Sequence, residues 1–236
     1  MKKNWPKMIL IGIMVLLVLS LVGCNRSGKG TVVNDPGVKE TTAVQGSGTA
    51  KPRTLAEILD QGKKATDIYC EYVIRADGGN ILQGKLWIAG DNLRSESVEG
   101  NNNGTAIFIH NGSKGYSYMY TSGQKQAIKA TDSQPTEDIN PVRSLFDVQE
   151  NTPTLGKEVR DGKNCVVVQY KQDEVETRMW LWEDQGLPVR IESTYDNSTT
   201  VMEYKNYKLE ALPASLFDLP PGMEVVELPG MGGGMP

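Results

Sequence analysis

Trp180-Leu181-Trp182-Glu183-Asp184-Gln185-Gly186-Leu187-Pro188-Val189-Arg190-Ile191 is the stretch that decides the fold. It reads as the middle of a β-hairpin. Val175–Trp182 and Leu187–Tyr195 are strand-like runs, and Glu183–Gly186 is a polar connection that ends in glycine. The same two-residue period continues on either side. Upstream, Glu158–Arg160 and Lys163–Gln172 flank Asp161-Gly162, a dipeptide suited to a tight hairpin turn. Downstream, Thr200–Leu209 supplies another strand. Along these runs Val166, Val168 and Tyr170 fall on one face, as do Trp180 with Trp182 and Val189 with Ile191.

The first half repeats the pattern. From Ile68, Tyr72 and Ile74 alternate with polar neighbours. Asp77–Asn80 turns the chain into Ile81–Ala89, where Leu82, Leu86 and Ile88 lie opposite Gln83, Lys85 and Trp87. Gly90-Asp91-Asn92 leads into Leu93–Glu99, and Gly100–Gly104 is a polar loop. Ala106–His110 and Gly115–Tyr120 flank Asn111-Gly112, and Lys125–Ala130 follows. Short strands with tight connections make an antiparallel meander, not a parallel α/β sheet. Two helical segments accompany it. Thr54 and Glu57 form a capping box that predicts a helix over Thr54–Ala65, with Leu55, Ile58 and Leu59 on one face and Gly62 weakening its middle. Within the interruption Thr131–Pro153, Pro141–Phe146 reads as a second short helix whose apolar face is Val142, Leu145 and Phe146. Beyond Pro213, Ser215–Gly222 reads as a short turn and an extended stretch.

The N-terminus carries an address. Lys2, Lys3 and Lys7 precede an apolar run, Met8–Val22, that closes in Leu21-Val22-Gly23-Cys24. A basic start, a short apolar run and a small residue before the cut make a secretory signal peptide, and the run is short for a membrane span. The closing four residues resemble the bacterial lipobox, whose cysteine receives a diacylglyceryl group and becomes the mature N-terminus. The resemblance implies that residues 1–23 are removed, that Cys24 is lipidated, and that the chain is held at the extracytoplasmic face of the cell membrane. Two or three acyl chains suffice for this, at about 0.8 kcal/mol per buried methylene. Residues 24–53 then read as the lipidated cysteine plus a disordered tether, residues 54–228 as the folded domain, and residues 229–236 as a disordered tail.

Composition and motifs narrow the chemistry. A formal net charge of −4 gives no electrostatic footprint for nucleic acid. No nucleophile is paired with a base in the sequence, and His110, the single histidine, sits at a hairpin end. No catalytic residue, metal site or cofactor is therefore expected, and the chain is not read as an enzyme. Besides Cys24 there are two cysteines, Cys70 and Cys165, both in strand-like runs. In an exported protein they form a disulfide if their strands are close, and otherwise remain buried free thiols.

Trp180–Ile191, with its Trp-x-Trp strand and Gly-Leu-Pro turn running into an arginine-bearing strand, resembles the LolA-like family of lipoprotein carriers and their lipoprotein relatives. Leu216-Phe217-Asp218-Leu219-Pro220-Pro221-Gly222-Met223 resembles the ending of that family. The resemblance spans about Thr54–Val226. It implies a mainly β (α+β) fold: a curved antiparallel sheet, or half-barrel, covered by short helices around an apolar cavity. The residues give an independent reason for that shape, since two short helices cover only part of one sheet face and leave a concave, greasy space. Alternation nominates Tyr72, Ile74, Leu86, Ile88, Phe108, Trp180, Trp182, Val189 and Ile191 as its lining, or else as ordinary core packing. What the resemblance implies about function is the binding of a lipid or acylated protein. An anchored half-barrel suits a receptor, a stationary lipid binder or a scaffold better than a shuttle. The alternative, drawn from spore germination lipoproteins, is a module that partners a cell-envelope enzyme with no lipid ligand.

Overall fold

The computed structural model describes residues 53–76, 79–99, 104–131 and 140–227. Cys24, the expected signal peptide, the expected tether up to Pro52 and the expected tail 229–236 lie outside the described residues. Twelve strands form one sheet: β1 (Asp67–Ala76), β2 (Gly79–Ala89), β3 (Asn92–Glu99), β4 (Ala106–Asn111), β5 (Tyr116–Thr121), β6 (Gln126–Thr131), β7 (Thr154–Arg160), β8 (Lys163–Gln172), β9 (Val175–Trp182), β10 (Pro188–Tyr195), β11 (Ser198–Lys208) and β12 (Glu224–Glu227). Their order is β12-β6-β5-β4-β3-β2-β1-β11-β10-β9-β8-β7. Two meanders, β1–β6 and β7–β11, are thus joined where β11 returns beside β1. The sheet is left open, with β12 and β7 at its edges, and bulges in β1, β7 and β10 add bend to its twist. The expected half-barrel is the architecture found.

Turn chemistry follows the residues. Asp161 and Gly162 have φ of 48° and 72°, the two left-handed positions of a type I′ turn. Asp196 and Asn197, at 45° and 64°, make the matching turn between β10 and β11. Asn111-Gly112 instead opens a longer loop, which reaches β5 through Gly115 at φ 66°. The turn and extended stretch expected over Ser215–Gly222 stop short of β12, which follows as a parallel addition to the β6 edge. Its pairing partner lies far upstream, so no local period foretells it.

Helix α1 (Leu55–Lys63) has the capping box the sequence predicts: Glu57 N donates to Thr54 Oγ1 at 3.3 Å, and Thr54 N donates to Glu57 Oε2 at 2.7 Å. Ile58 and Leu59 are buried against the sheet. Gly62 is a contact point as well as a weak helix former. A Cβ there would lie 2.1 Å from the carbonyl oxygen of Gly186, in the β9–β10 turn, and a Cβ on Gly186 would lie 2.0 Å from that of Ile58. Arg53 Nη1 adds bonds to the carbonyl oxygens of Glu183 and Asp184 at 2.8 and 3.1 Å. The Gly-Leu-Pro turn is therefore the seat of the helix.

The second expected helix is a 3-10 turn, Arg143–Asp147. Three residues per turn align Val142, Leu145 and Val148 on the core side. Phe146, expected on the apolar face, falls off that line and is 62% exposed. Another 3-10 turn, Ala214–Phe217, lays Phe217 against Ile107 and Ile109 on the opposite face of the sheet.

Candidate functional site: the inner face of the sheet

The covered face and its reverse divide the nominated residues. Tyr72, Leu86, Ile88 and Phe108 are buried in one cluster with Ile58 and Leu59 of α1, and Ile74 and Ile191 pack against it half-buried. This is the inner face. Trp180 and Val189 belong to a separate cluster with Cys165 and Val167, and Trp182 packs there too. The nine residues therefore do not share one surface. A bulge explains the split of Val189 from Ile191: Pro188 pairs with Leu181 and Arg190 with Trp180, so Val189 is the extra residue. One inserted residue reverses the facing of its neighbours.

Trp180 is an outer-face residue held in a polar setting. Its indole Nε1 donates to Glu158 Oε2 at 2.8 Å. The guanidinium carbons of Arg160, Arg190 and Arg178 lie 4.5, 5.6 and 5.9 Å from the centre of an indole ring of Trp180. Three guanidinium groups around the ring shield it from water. Arg190 also bonds Glu192 and, at 2.7 Å, Glu203 Oε1, while Arg75 pairs with Glu203 Oε2. Burial alone would raise the Glu203 carboxyl, but Arg75, Lys205 and Arg190 outweigh it and hold the group below the usual value. The sequence carried a signal for this facing: Glu176 and Arg178 share Trp180's side of the strand, whereas Thr177, Met179 and Leu181 alternate inward.

The two cysteines face opposite sides, Cys70 in the inner cluster and Cys165 in the outer one, and both are free thiols. Three strands separate β1 from β8, a span of roughly 19 Å that no disulfide bridges. Burial pushes the Cys70 thiol far up and that of Cys165 to about 11. His110 sits half-buried, Nδ1 within 3.0 Å of Ser117 Oγ, and burial lowers its pKa against the opposing charge of Asp91. Among the described residues no group of three metal-ligating side chains converges.

The inner face has two parts. Near the β9–β10 turn it is filled: Ile58, Leu59, Leu145 and Val148 pack on Ile68, Cys70 and Leu86. The Tyr72 hydroxyl lies 3.0 Å from Ser95 Oγ and covers Gly84, where a Cβ would stand 2.8 Å from the hydroxyl oxygen. Towards the other end the register sets an apolar row across six strands. Leu82 pairs with Ile74, Ile74 with Met202, Met202 with Ile191, Ile191 with Met179, and Met179 with Val168. Met179 and Val168 are buried, whereas Leu82, Ile74, Met202 and Ile191 stay partly exposed. The next row outward is small and hydroxylic: Ala76 pairs with Thr200, Thr200 with Ser193, and Ser193 with Thr177. Leu82 and Met202 were absent from the nominated lining, because only strand pairing shows which strands place their apolar positions side by side. Two surface hollows, of about 500 and 300 Å³, lie elsewhere, and none of the nine nominated residues lines either.

No family model and no curated protein matches this sequence. Solved structures do. An uncharacterized conserved protein from Thermus thermophilus aligns over 73% of this chain and 98% of its own, with a TM-score of 0.53 and 11% identity. LprF from Mycobacterium bovis aligns over 67% and 94%, with a TM-score of 0.44 and 13% identity. A LolA superfamily protein from Nitrosomonas europaea aligns over 71% and 98%, with a TM-score of 0.42 and 15% identity. The likeness to the Thermus thermophilus protein extends to the fold. At these identities the likeness speaks for architecture alone.

Proposed function

We propose that this chain is a membrane-tethered, extracytoplasmic binding module that holds the acyl chain of a lipid or of an acylated protein along the uncovered end of its inner face. The observation that carries this reading is the row Leu82–Ile74–Met202–Ile191: four apolar side chains, adjacent across four strands and left partly exposed among the described residues. It spans roughly 14 Å at the usual strand spacing. Each methylene laid along it and removed from water contributes about 0.8 kcal/mol. The hydroxylic row beyond it is suited to a polar head group. The module acts by binding, and the described residues carry no assembled nucleophile and base. Cys24, behind its lipobox-like ending, is the proposed anchor; no described helix is long and apolar enough to cross a membrane.

Solvent extraction of the purified chain followed by lipid mass spectrometry tests the reading, together with uptake of a fluorescent fatty acid. Bound lipid is expected, and Met202→Asp, at a position that also packs on the core, should lower uptake at least tenfold in the folded fraction of the variant. Undiminished uptake by that variant would overturn the proposed groove.

A second reading is favoured by the packing under α1, which fills the deep part of the half-barrel. In it the chain is a protein-binding module for a cell-envelope enzyme and carries no lipid. Affinity capture from envelope fractions would then yield one stoichiometric protein partner, and extraction would yield no lipid.

A further inference from the structure

A cleft of about 500 Å³ opens on the outer face, between β2–β3 and the C-terminal segment that follows β11. Trp87, Leu216, Leu219 and two prolines, Pro220 and Pro221, give it apolar walls, and Arg94, Glu96 and Asp218 supply charge. The polar groups are held in place. Arg94 donates to Glu96 Oε1 from Nε at 3.0 Å and from Nη2 at 2.7 Å, and to the Leu216 carbonyl oxygen at 3.3 Å. Its guanidinium carbon lies 5.9 Å from the centre of a Trp87 ring. Asp218 Oδ1 accepts from Lys114 Nζ at 2.8 Å. With side-chain exposures of 14% and 28%, Arg94 and Glu96 form a largely enclosed pair.

These partners restrict what the cleft accepts. Each of its carboxylates is matched to a cation, Glu96 to Arg94 and Asp218 to Lys114, so an added ion would have to displace a pair already made. A hydrocarbon chain would strip water from three charged side chains and return no hydrogen bond. The bonds made among the described residues use Oε1 of Glu96 and Oδ1 of Asp218, which leaves Oε2 and Oδ2 as acceptors. An aromatic wall beside fixed carboxylate acceptors suits a ligand with an apolar ring face and hydroxyl donors. We propose that this cleft binds a neutral saccharide unit, its C–H face on Trp87 and its hydroxyls donating to Glu96 and Asp218. Charge-assisted hydrogen bonds of this kind are stronger than neutral ones, and a mostly apolar wall with a few convergent polar groups is the usual form of a small-molecule site. The site lies on the reverse of the sheet from the acyl row, so the two proposals stand or fall separately.

Calorimetric titration of the full chain in detergent with the tetrasaccharide of N-acetylglucosamine, and separately with maltotetraose, tests the proposal. Saturable binding of at least one sugar is expected. Trp87→Leu should weaken it about tenfold. Asp218→Asn, at a half-exposed position whose ion pair lies on the surface, should weaken it several-fold and shift the unfolding midpoint little. Neither change should alter fatty-acid uptake. Absence of saturable heat with both sugars would overturn the proposal, as would wild-type affinity in the Asp218→Asn variant, or binding of a proline-rich peptide where neither sugar binds.

Discussion

Gly62 shows how a single residue's meaning changes between sequence and structure. In an exposed helix interior, Gly→Ala gains about 1 kcal/mol from helix propensity. Here the new methyl group would meet the backbone oxygen of Gly186 at 2.1 Å. Gly62→Ala should therefore destabilise the domain by about 1–3 kcal/mol net, as overpacking does. Urea unfolding checks this, and a stabilised variant would refute the seat of α1 on the Gly-Leu-Pro turn. Glu203 gives a prediction in pH. Its folded pKa is depressed, so its stabilising contribution is present above the ordinary glutamate value of about 4.3 and is lost as pH falls through the folded value. Glu203→Gln should accordingly lose less stability than wild type between pH 6 and about 3. Equal acid limbs would show that the Arg75–Glu203–Arg190 network adds nothing. At Cys70 and Cys165, thiol titration should find no reactive group in the native domain and two after unfolding, with no disulfide-linked peptide.

Among the elements, those whose reasons are local were legible. The capping box placed α1 within a residue or two, and Asp161-Gly162 placed a hairpin. Replacing the cap, Thr54→Ala, should cost about 1 kcal/mol in thermal unfolding. What the sequence hid depends on counting across elements. The bulge at Val189 splits two residues that alternation puts together, and a 3-10 turn places Phe146 outside the stripe that a 3.6-residue helix would give it. The strand β12 escaped for the same kind of reason, since its partner β6 lies about a hundred residues upstream. For the candidate site, six of the nine nominated residues reach the inner face: Tyr72, Ile74, Leu86, Ile88, Phe108 and Ile191. The two tryptophans, the most conspicuous apolar residues of the motif, turn outward, Trp180 under a cover of arginines and Trp182 beneath Lys163. Hydrophobicity alone does not choose a face when a cation can shield the ring.

At the scale of the molecule, the proposed anchor would hold an open half-barrel at the membrane surface. Cys24→Ala should leave unprocessed precursor and abolish metabolic labelling with a fatty acid, and unchanged labelling would remove the proposed tether. The central claim is that an acyl chain lies on the uncovered end of the inner face. A photoactivatable fatty acid, cross-linked to the purified chain and located by peptide mass mapping, tests it most directly. The account predicts adducts on the peptides of β1, β2, β10 and β11 that carry Ile74, Leu82, Ile191 and Met202. Adducts confined to the Trp87 cleft or the Trp180 face, or none above those on a denatured control, would contradict it.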